Sequence, residues 1–276
     1  RTYAPNLFEP ESGLALRACD CGEELTATGD AACDRSGSPT GDLVADPACD
    51  VAASPTSNPA NHPIADPLAS LGAVCDRVAA IVHLVARAEG APVLVGYSMG
   101  GRIAAETLMR HPDLPLAGLV LESAGLGPTD ETARAVLARR NGEWAARLRD
   151  EGVAAFMDWW ETLPLFATQR DLPPVARAAI RAEREAHDAE ALARALEAWG
   201  AHHQATEAET LAALVAVRQA GLPVRYLAGA CDAKYAAMAD RARAAGLPVV
   251  LIPLAGHNTH LEQPEAFLRG LGPFLA

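Results

Sequence analysis

Ser98 is the residue of this chain whose neighbours most clearly predict chemistry. It lies in the run Gly96-Tyr97-Ser98-Met99-Gly100, directly after the apolar segment Val93-Leu94-Val95. A GxSxG sequence between a buried strand and a helix is typical of a nucleophile elbow, a tight turn that exposes the serine hydroxyl. The next backbone N–H, that of Met99, then points at negative charge that develops on a substrate. The sequence therefore predicts a reactive Ser98 and an oxyanion donor at Met99; the alternative is an ordinary glycine–serine turn.

A base and an acid follow this serine along the chain. Asp232 comes after the apolar segment 224–228, and His257 comes after the apolar segment 249–252. An imidazole can take the proton of a serine hydroxyl, and a carboxylate can orient that imidazole. The order serine, aspartate, histidine, with the last two at strand-to-loop junctions, is that of α/β-hydrolase triads. His260 is the competing base, but it lies three residues farther along, and we expect it to support the loop.

These side chains can meet only if several parallel strands end at the same edge of a sheet. Apolar segments at 93–95, 116–122, 224–228 and 249–252 predict such strands, and helical spacing predicts helices over 68–88 and 264–271. The fold class expected is α/β, an α/β-hydrolase fold with a mostly parallel sheet, helices on both faces and an inserted helical lid. Residues 1–128 and 211–276 would form the core. Residues 129–210, which have no strand pattern, would form the lid.

The N-terminal quarter has a different composition. Residues 1–8 are compatible with a short strand and its exit, whereas residues 9–69 are rich in Asp, Ser, Thr, Pro, Ala and Gly. No aromatic residue lies between Phe8 and Tyr97. Such a segment buries too little apolar surface to offset the entropy lost on ordering. We therefore predict a loop or a disordered insertion over most of 9–69.

The charge and the amino-acid composition of the chain argue against some classes of binding partner. The net charge of −12 argues against nucleic-acid binding, and no apolar run is long enough for a membrane span. The six cysteines have neither zinc-ribbon nor C-x-x-C spacing, so we predict free thiols in a cytoplasmic protein and no metal site. Arg102 lies one helical turn after the serine and can bind a carboxylate, although an arginine on a solvated helix face is the alternative. A small anionic substrate follows from the first interpretation.

The chain also resembles one family of enzymes, the 2-succinyl-6-hydroxy-2,4-cyclohexadiene-1-carboxylate synthases, which are α/β-hydrolase-fold lyases of menaquinone biosynthesis. The resemblance covers residues 68–276 and rests on the elbow followed by Arg102, on a Trp-x4-Pro-Leu-Phe run and on a Gly-His-x-x-His-x-Glu run, besides the segments 119–124 and 229–235. It implies that the serine oxygen, activated by the histidine, takes a proton, and that pyruvate is eliminated from a succinyl-hydroxycyclohexene dicarboxylate. It implies no cofactor, metal or organic.

The resemblance further implies a set of substrate-binding residues. Beside Arg102 these are Tyr97 in the elbow, Trp159 as a pocket wall, Arg181 and Gln204. A family arginine falls on Leu137 here, with Arg134 and Arg139 nearby as substitutes. Without the resemblance, Trp159 would be read as core of the lid, and Arg181 and Gln204 as surface residues.

The N-terminal region departs from the family pattern. The family's histidine–glycine oxyanion loop precedes the strand at Tyr3-Ala4-Pro5, and no His-Gly pair occurs in this sequence. We therefore expect an N-terminally incomplete chain. Two other functions stay open: a serine hydrolase acting on a small acidic ester or carbon–carbon bond, and a non-catalytic relative that binds a ligand or partner.

Overall fold

The computed structural model describes residues 69–274 and two short strands before them. Strand β1 (Tyr3–Ala4) pairs antiparallel with β2 (Arg17–Ala18). These strands belong to a first unit, residues 1–65, and all other elements belong to a second unit, residues 66–276. β2 falls inside the segment 9–69 for which the sequence predicts a loop, and the rest of that prediction lies outside the described residues.

A four-stranded parallel sheet forms the centre of the second unit. Its strands are β3 (Val93–Tyr97), β4 (Gly118–Glu122), β5 (Val224–Gly229) and β6 (Val249–Ile252), and they lie side by side in that order. Strands covered on both faces need nearly continuous apolar sequence, and all five residues of β4 are buried. Because the strands are parallel, their carboxyl ends share one edge of the sheet.

Helices cover both faces of this sheet. On one face, α2 (Met99–Arg110) and α7 (Ala233–Ala244) pack on β4 and β5 in a core that includes Ala104, Leu108, Leu119, Leu121, Tyr226, Ala228, Met238 and Ala242. On the other face, α9 (Pro264–Leu271) packs on Val120, Leu227 and Ile252. The remaining core helix, α1 (Leu71–Glu89), packs against α2.

The chain between β4 and β5 forms helices only, as predicted. They are α3 (Glu131–Trp160), the 3₁₀ helix Pro164–Asp171, α4 (Pro174–Glu185), α5 (Ala189–Ala198), the 3₁₀ helix Ala201–His203 and α6 (Glu207–Gln219). α3 is interrupted at Gly152, because the φ of 79° and ψ of 170° of this residue lie outside the helical region. These helices have a small core of their own, made by Ala145, Leu148, Phe156, Met157 and Ala193.

Element boundaries follow local capping. β6 and α9 have the predicted bounds. α1 begins at Leu71, three residues later than predicted, because the Ser70 hydroxyl accepts a hydrogen bond from the Ala73 N–H at 3.1 Å and caps the helix there. Two helices have no counterpart in the prediction, α7 and the single-turn helix α8 (Thr259–Glu262), which is capped by Asn258.

Candidate active site

Ser98 occupies a strained turn between β3 and α2. Its φ of 49° and ψ of −110° lie in a region that a residue with a Cβ rarely adopts. The turn is held by a hydrogen bond of 2.8 Å from the Ser98 N–H to the Glu122 carbonyl at the end of β4. Backbone strain of this kind is typical of functional positions, and here it lifts the hydroxyl out of both flanking elements.

Two glycines allow β3 and α2 to approach this closely. A Cβ on Gly96 would lie 2.6 Å from the Gly101 Cα, and a Cβ on Gly101 would lie 2.7 Å from the Gly96 carbonyl oxygen. A Cβ on Gly100 would meet no atom of the described residues within 4 Å. The steric requirement therefore falls on Gly96 and Gly101, whereas the motif in the sequence points to Gly96 and Gly100.

Ser98, His257 and Asp232 form a hydrogen-bonded chain. The Ser98 Oγ lies 2.9 Å from the His257 Nε2, and the His257 Nδ1 lies 2.9 Å from the Asp232 Oδ2. His257 is 1% exposed and Asp232 is 7% exposed, so the contact is shielded from water. The other carboxylate oxygen of Asp232 accepts the Tyr235 N–H at 3.2 Å, which fixes the acid at the start of α7. The imidazole is thus placed to take the serine proton.

Aromatic rings enclose the imidazole. The ring centre of Tyr235 lies 4.6 Å from that of His257, Tyr97 lies at 5.3 Å and Phe166 at 6.1 Å. Burial raises the pKa of Tyr97 and that of Tyr235, so both phenols stay protonated at neutral pH. The site is therefore an apolar enclosure in which polar contacts are strengthened.

Two carboxylates hold the loop that carries His257. Glu122, 1% exposed, accepts the Thr259 hydroxyl at 2.6 Å, and His260 donates to it both from its backbone N–H at 3.0 Å and in the 2.7 Å contact of its Nδ1. Glu262 accepts the Gly256 N–H at 2.6 Å and the Asn258 N–H at 3.2 Å. His260 thus contacts Glu122, and it is His257 that contacts the serine.

The first turn of α2 offers free donors at the site. Ser98 makes no side-chain cap hydrogen bond to this helix. Among the described residues, no acceptor lies within hydrogen-bond distance of the Met99 N–H. The first N–H groups of a helix carry partial positive charge. Met99 is therefore placed for the oxyanion contact that the sequence predicts.

Arg102 is a desolvated cation beside the triad. Burial lowers its pKa to about 10, so the guanidinium remains charged at neutral pH. Its Nη1 donates to the Trp199 carbonyl at 3.1 Å, and no carboxylate of the described residues pairs with it. A Cβ on Gly125 would lie 3.1 Å from the Arg102 side chain. An unneutralised guanidinium in this position suits an anionic ligand.

Gln204 lies close to Arg102. Its side chain is 2% exposed, its Nε2 is 3.5 Å from the Gly125 carbonyl, and its Oε1 is buried with no hydrogen-bond partner among the described residues. An unpaired buried acceptor is costly unless a ligand or water completes it. The predicted role of Gln204 in substrate binding remains a prediction with this geometry in its favour.

Two arginines that are predicted to bind substrate have contacts elsewhere in this structure. Arg181 donates to Asp158 at 2.8 Å, to Glu161 at 3.3 Å and to Glu185 at 2.6 Å, so its charge is already neutralised. Arg134 donates to the carbonyls of residues 202 and 204 at 2.7 Å each, and these bonds hold α3 against the segment 202–204.

Trp159 packs among aromatic rings of the helices between β4 and β5. Its ring centre lies 5.4 Å from that of Phe156 and 5.7 Å from that of Trp144, and Arg147 lies over its face at 4.6 Å. It is Trp160 that contacts Phe166, at 5.6 Å, and through it the histidine of the triad. Trp159 therefore packs against the core of these helices, and its role as a pocket wall remains a prediction.

Three residues that lie near the triad in the structure have no role predicted from the sequence. Arg140, Lys234 and Tyr235 lie together, with Tyr235 against His257. Arg139, which the sequence offers beside Arg134 as a substitute for the family arginine that falls on Leu137, is exposed and lies 3.9 Å from a glutamate on its own helix. Tyr235 and Lys234 directly follow the triad acid, which was a usable signal; Arg140 carried none beyond its place on α3.

The described residues contain no group of three or more His, Cys, Asp or Glu side chains arranged to hold a metal ion. None of the helices in the described part of the chain combines the length and the apolar content that a membrane crossing requires.

Comparison with known proteins finds relatives that agree with one another in family and in name. The model of the alpha/beta hydrolase family matches residues 25–269. The 2-succinyl-6-hydroxy-2,4-cyclohexadiene-1-carboxylate synthase of Serratia proteamaculans is 35% identical over 182 residues, which are 66% of this chain and 67% of that protein. A Bacillus subtilis protein with the same name, marked putative, is 32% identical and matches over 66% of this chain and 65% of its own length. The matched region thus spans about two thirds of these curated relatives.

Solved structures lead to the same fold. MenH from S. aureus superimposes with a TM-score of 0.68 at 25% identity, covering 78% of this chain and 80% of that one. A thermophilic esterase from Thermogutta terrifontis, with malate bound, gives a TM-score of 0.59 at 25% identity, covering 75% and 72%. With its sheet, its family model and its named relatives in agreement, this chain belongs to the alpha/beta hydrolase family.

Proposed function

We propose that this chain is a lyase of menaquinone biosynthesis that eliminates pyruvate from a succinyl-hydroxycyclohexene dicarboxylate. The observation that carries the proposal is the hydrogen-bonded chain of Ser98, His257 and Asp232 beside the unpaired cation of Arg102. The names of the relatives from S. proteamaculans and B. subtilis supply the substrate class. A base next to a carboxylate-binding group is what proton removal from an anionic substrate requires.

In this mechanism Ser98 acts as a base toward the substrate and does not form an ester with it. The His257 Nε2 takes the hydroxyl proton across 2.9 Å, and the serine oxygen removes a proton from a carbon of the substrate. The electron pair of that C–H bond moves into the ring, and the C–O bond to the leaving enolpyruvate breaks. The serine keeps the proton taken from carbon, and the imidazolium gives its proton to the leaving enolate, which becomes pyruvate. Asp232 stabilises the imidazolium that forms, and the Met99 N–H stabilises the negative charge that develops on the substrate.

The substrate carboxylates would be bound on the side of the elbow where Arg102 lies. Tyr97 and Phe166 close off the imidazole with rings, and the Gln204 amide lies beside Gly125 with an acceptor free. The helices of residues 129–210 would act as a lid, since Phe166 belongs to them and contacts the triad histidine. Exclusion of water by such a lid strengthens the contacts of charged groups.

The test is pyruvate release from the dicarboxylate, followed by steady-state kinetics. We expect Ser98→Ala and His257→Ala each to lower kcat by at least ~10³-fold, and Asp232→Asn to lower it somewhat less. Ser123→Ala is the matched control, because Ser123 also follows a strand with positive φ (45°), but it is fully buried and its hydroxyl has no hydrogen-bond partner among the described residues. Activity retained in Ser98→Ala would exclude the mechanism.

A serine hydrolase is the second candidate. The likeness to the T. terrifontis esterase supports it, and the 2.9 Å contact of Ser98 with His257 would serve acyl transfer equally well. Hydrolysis of small acidic esters with a covalent acyl-serine intermediate, without pyruvate release, would favour this candidate. Binding of the dicarboxylate with neither reaction would favour a non-catalytic binding protein.

A further inference from the structure

Three cationic side chains lie near Tyr235. We call Arg102, Arg140 and Lys234 the Tyr235 cation cluster. The Lys234 Nζ lies 5.0 Å from the centre of the Tyr235 ring, and the charges of Arg102 and Arg140 both act on the Tyr235 phenol. Arg140 and Arg102 also act on the Lys234 ammonium. The ring centre of Tyr235 is 4.6 Å from that of His257, so the cluster borders the proposed active site.

No carboxylate of the described residues forms an ion pair with any member of the cluster. Arg140 donates to the Asn141 Oδ1 at 3.1 Å and lies over the Trp144 ring at 4.4 Å; both contacts leave its charge uncompensated. Asp232 is the acid that acts on Lys234, but its Oδ2 is engaged by His257.

Other arginines of α3 show how unusual this is. Among the described residues, Arg134, Arg139, Arg147 and Arg149 each pair with a glutamate, and Arg149 pairs with two. The chain as a whole has an excess of acids, with a net charge of −12. Unpaired cations therefore do not result from a shortage of carboxylates.

Neighbouring cations without counter-ions repel one another, and the partial burial of Arg102 and Arg140 increases the cost, whereas the Lys234 residue is exposed. Desolvation lowers the pKa of Arg102, of Arg140 and of Lys234, and the mutual repulsion lowers that of Lys234 further. An anion bound among them would remove both penalties.

The Arg140 guanidinium is also held in place. It lies between the face of Trp144 and Asn141, and Asn141 is 2% exposed and donates to the Leu196 carbonyl at 3.2 Å. A guanidinium fixed by a ring face and a hydrogen bond loses little entropy when it binds a ligand. These contacts make Arg140 a preorganised donor.

We propose that Arg140 and Lys234 bind a carboxylate of the substrate that is remote from the reacting atoms, and that they thereby select a substrate with two carboxylates over one with a single carboxylate. Arg102 would bind the carboxylate nearer to Ser98. The inference rests on the proposed function for the identity of the substrate, but the cluster itself is independent of the reaction. Arg140 contacts the Asn141 amide and Lys234 lies near the Tyr235 ring; neither contact is an ion pair that neutralises the charge.

Calorimetric binding of succinate and of its monoamide tests this without any turnover. The wild-type chain should bind succinate at least about tenfold more tightly than the monoamide, as loss of one charge-assisted pair implies. Arg140→Ala should abolish this preference, and Arg140→Lys should restore part of it, since the charge returns without the planar fork. Arg139→Ala is the matched control, because Arg139 is its exposed neighbour on α3, and it should leave the preference unchanged.

Thermal unfolding of each variant separates loss of binding from loss of fold, and Arg140→Gln provides a second substitution if the alanine variant is unstable. A preference that persists in Arg140→Ala and Arg140→Gln would overturn the inference, as would a wild-type chain that does not discriminate between the two probes. If pyruvate release is absent but the preference depends on Arg140, the dicarboxylate site stands and the proposed reaction fails. If pyruvate is released while Arg140 has no effect on either measurement, the reaction stands and the site fails.

Discussion

The close contact of β3 with α2 makes a steric prediction for Gly101→Ala. A Cβ at this position would lie 2.5 Å from the Ala124 Cβ and 2.7 Å from the Gly96 carbonyl oxygen. Neither neighbour can turn away, because one is a methyl group on the main chain and the other is the main chain itself. The first turn of α2 would therefore have to move away from β3, and Ser98 would move with it.

The size of the effect follows from these distances. Carbon atoms in contact normally lie about 3.5–4.0 Å apart, so the new methyl group overlaps its neighbour by about 1 Å. Overpacking of this kind costs about 1–3 kcal/mol, and we expect the upper end because the neighbours are rigid. For a domain of about 200 residues, a loss of ~3 kcal/mol lowers Tm by about 6–12 °C. A displacement of the serine by about 1 Å would lower kcat by about 10²-fold.

Thermal unfolding and pyruvate release measure the two effects on the same samples. Gly100→Ala is the control, since its Cβ would meet no described atom within 4 Å and alanine is the better helix former. We expect its Tm to equal or slightly exceed that of the wild type.

Ala124→Gly in the Gly101→Ala background removes the 2.5 Å contact but leaves the 2.7 Å contact with the Gly96 oxygen, so it should rescue only part of the loss. A Gly101→Ala chain as stable and as active as Gly100→Ala would refute the reasoning.

Two further predictions concern buried polar groups. Glu122→Gln should lower kcat by about tenfold or more and the free energy of unfolding by about 2 kcal/mol, because the buried carboxylate accepts three hydrogen bonds from the loop after His257. Steady-state kinetics and thermal unfolding measure both effects, with the exposed Glu265→Gln as the control. An unchanged kcat in Glu122→Gln would contradict the prediction. Burial raises the pKa of the Cys75 thiol to about 11, so about a thousandth of it is thiolate at pH 8. In the native chain iodoacetamide should therefore modify the exposed Cys231 at least about 100 times faster, by peptide mass spectrometry, and equal rates would show that Cys75 is accessible.

The sheet and the geometry of the triad were accessible from sequence because both depend on local patterns. Apolar runs in the sequence predict the strands. The loops that follow parallel strands lie at the same edge of the sheet, and this does not depend on how individual side chains pack. That is why Ser98, Asp232 and His257 meet although they are far apart in the chain. The bounds of β6 followed from its apolar run alone.

The contacts of the arginine side chains were much less predictable from the sequence. A position on a helix does not say which acid from another element will pair with it: Arg181 pairs with Asp158 of α3 and with Glu161, which directly follows that helix. For Arg140 the sequence makes no prediction, because the lack of an acidic partner among the described residues is not visible in any local pattern. Ion pairs between helices depend on tertiary packing, which a single sequence does not encode in any local pattern.

The separation of the triad along the chain has a consequence for refolding. Ser98 and His257 are 159 residues apart, and every strand between them joins the sheet through a crossover. Closing such long loops is slow, because their entropy is lost before the contacts that reward it are formed. We therefore expect the helical signal to recover early after dilution from denaturant and catalysis to recover last, so that enzymatic activity reports completion of the whole sheet.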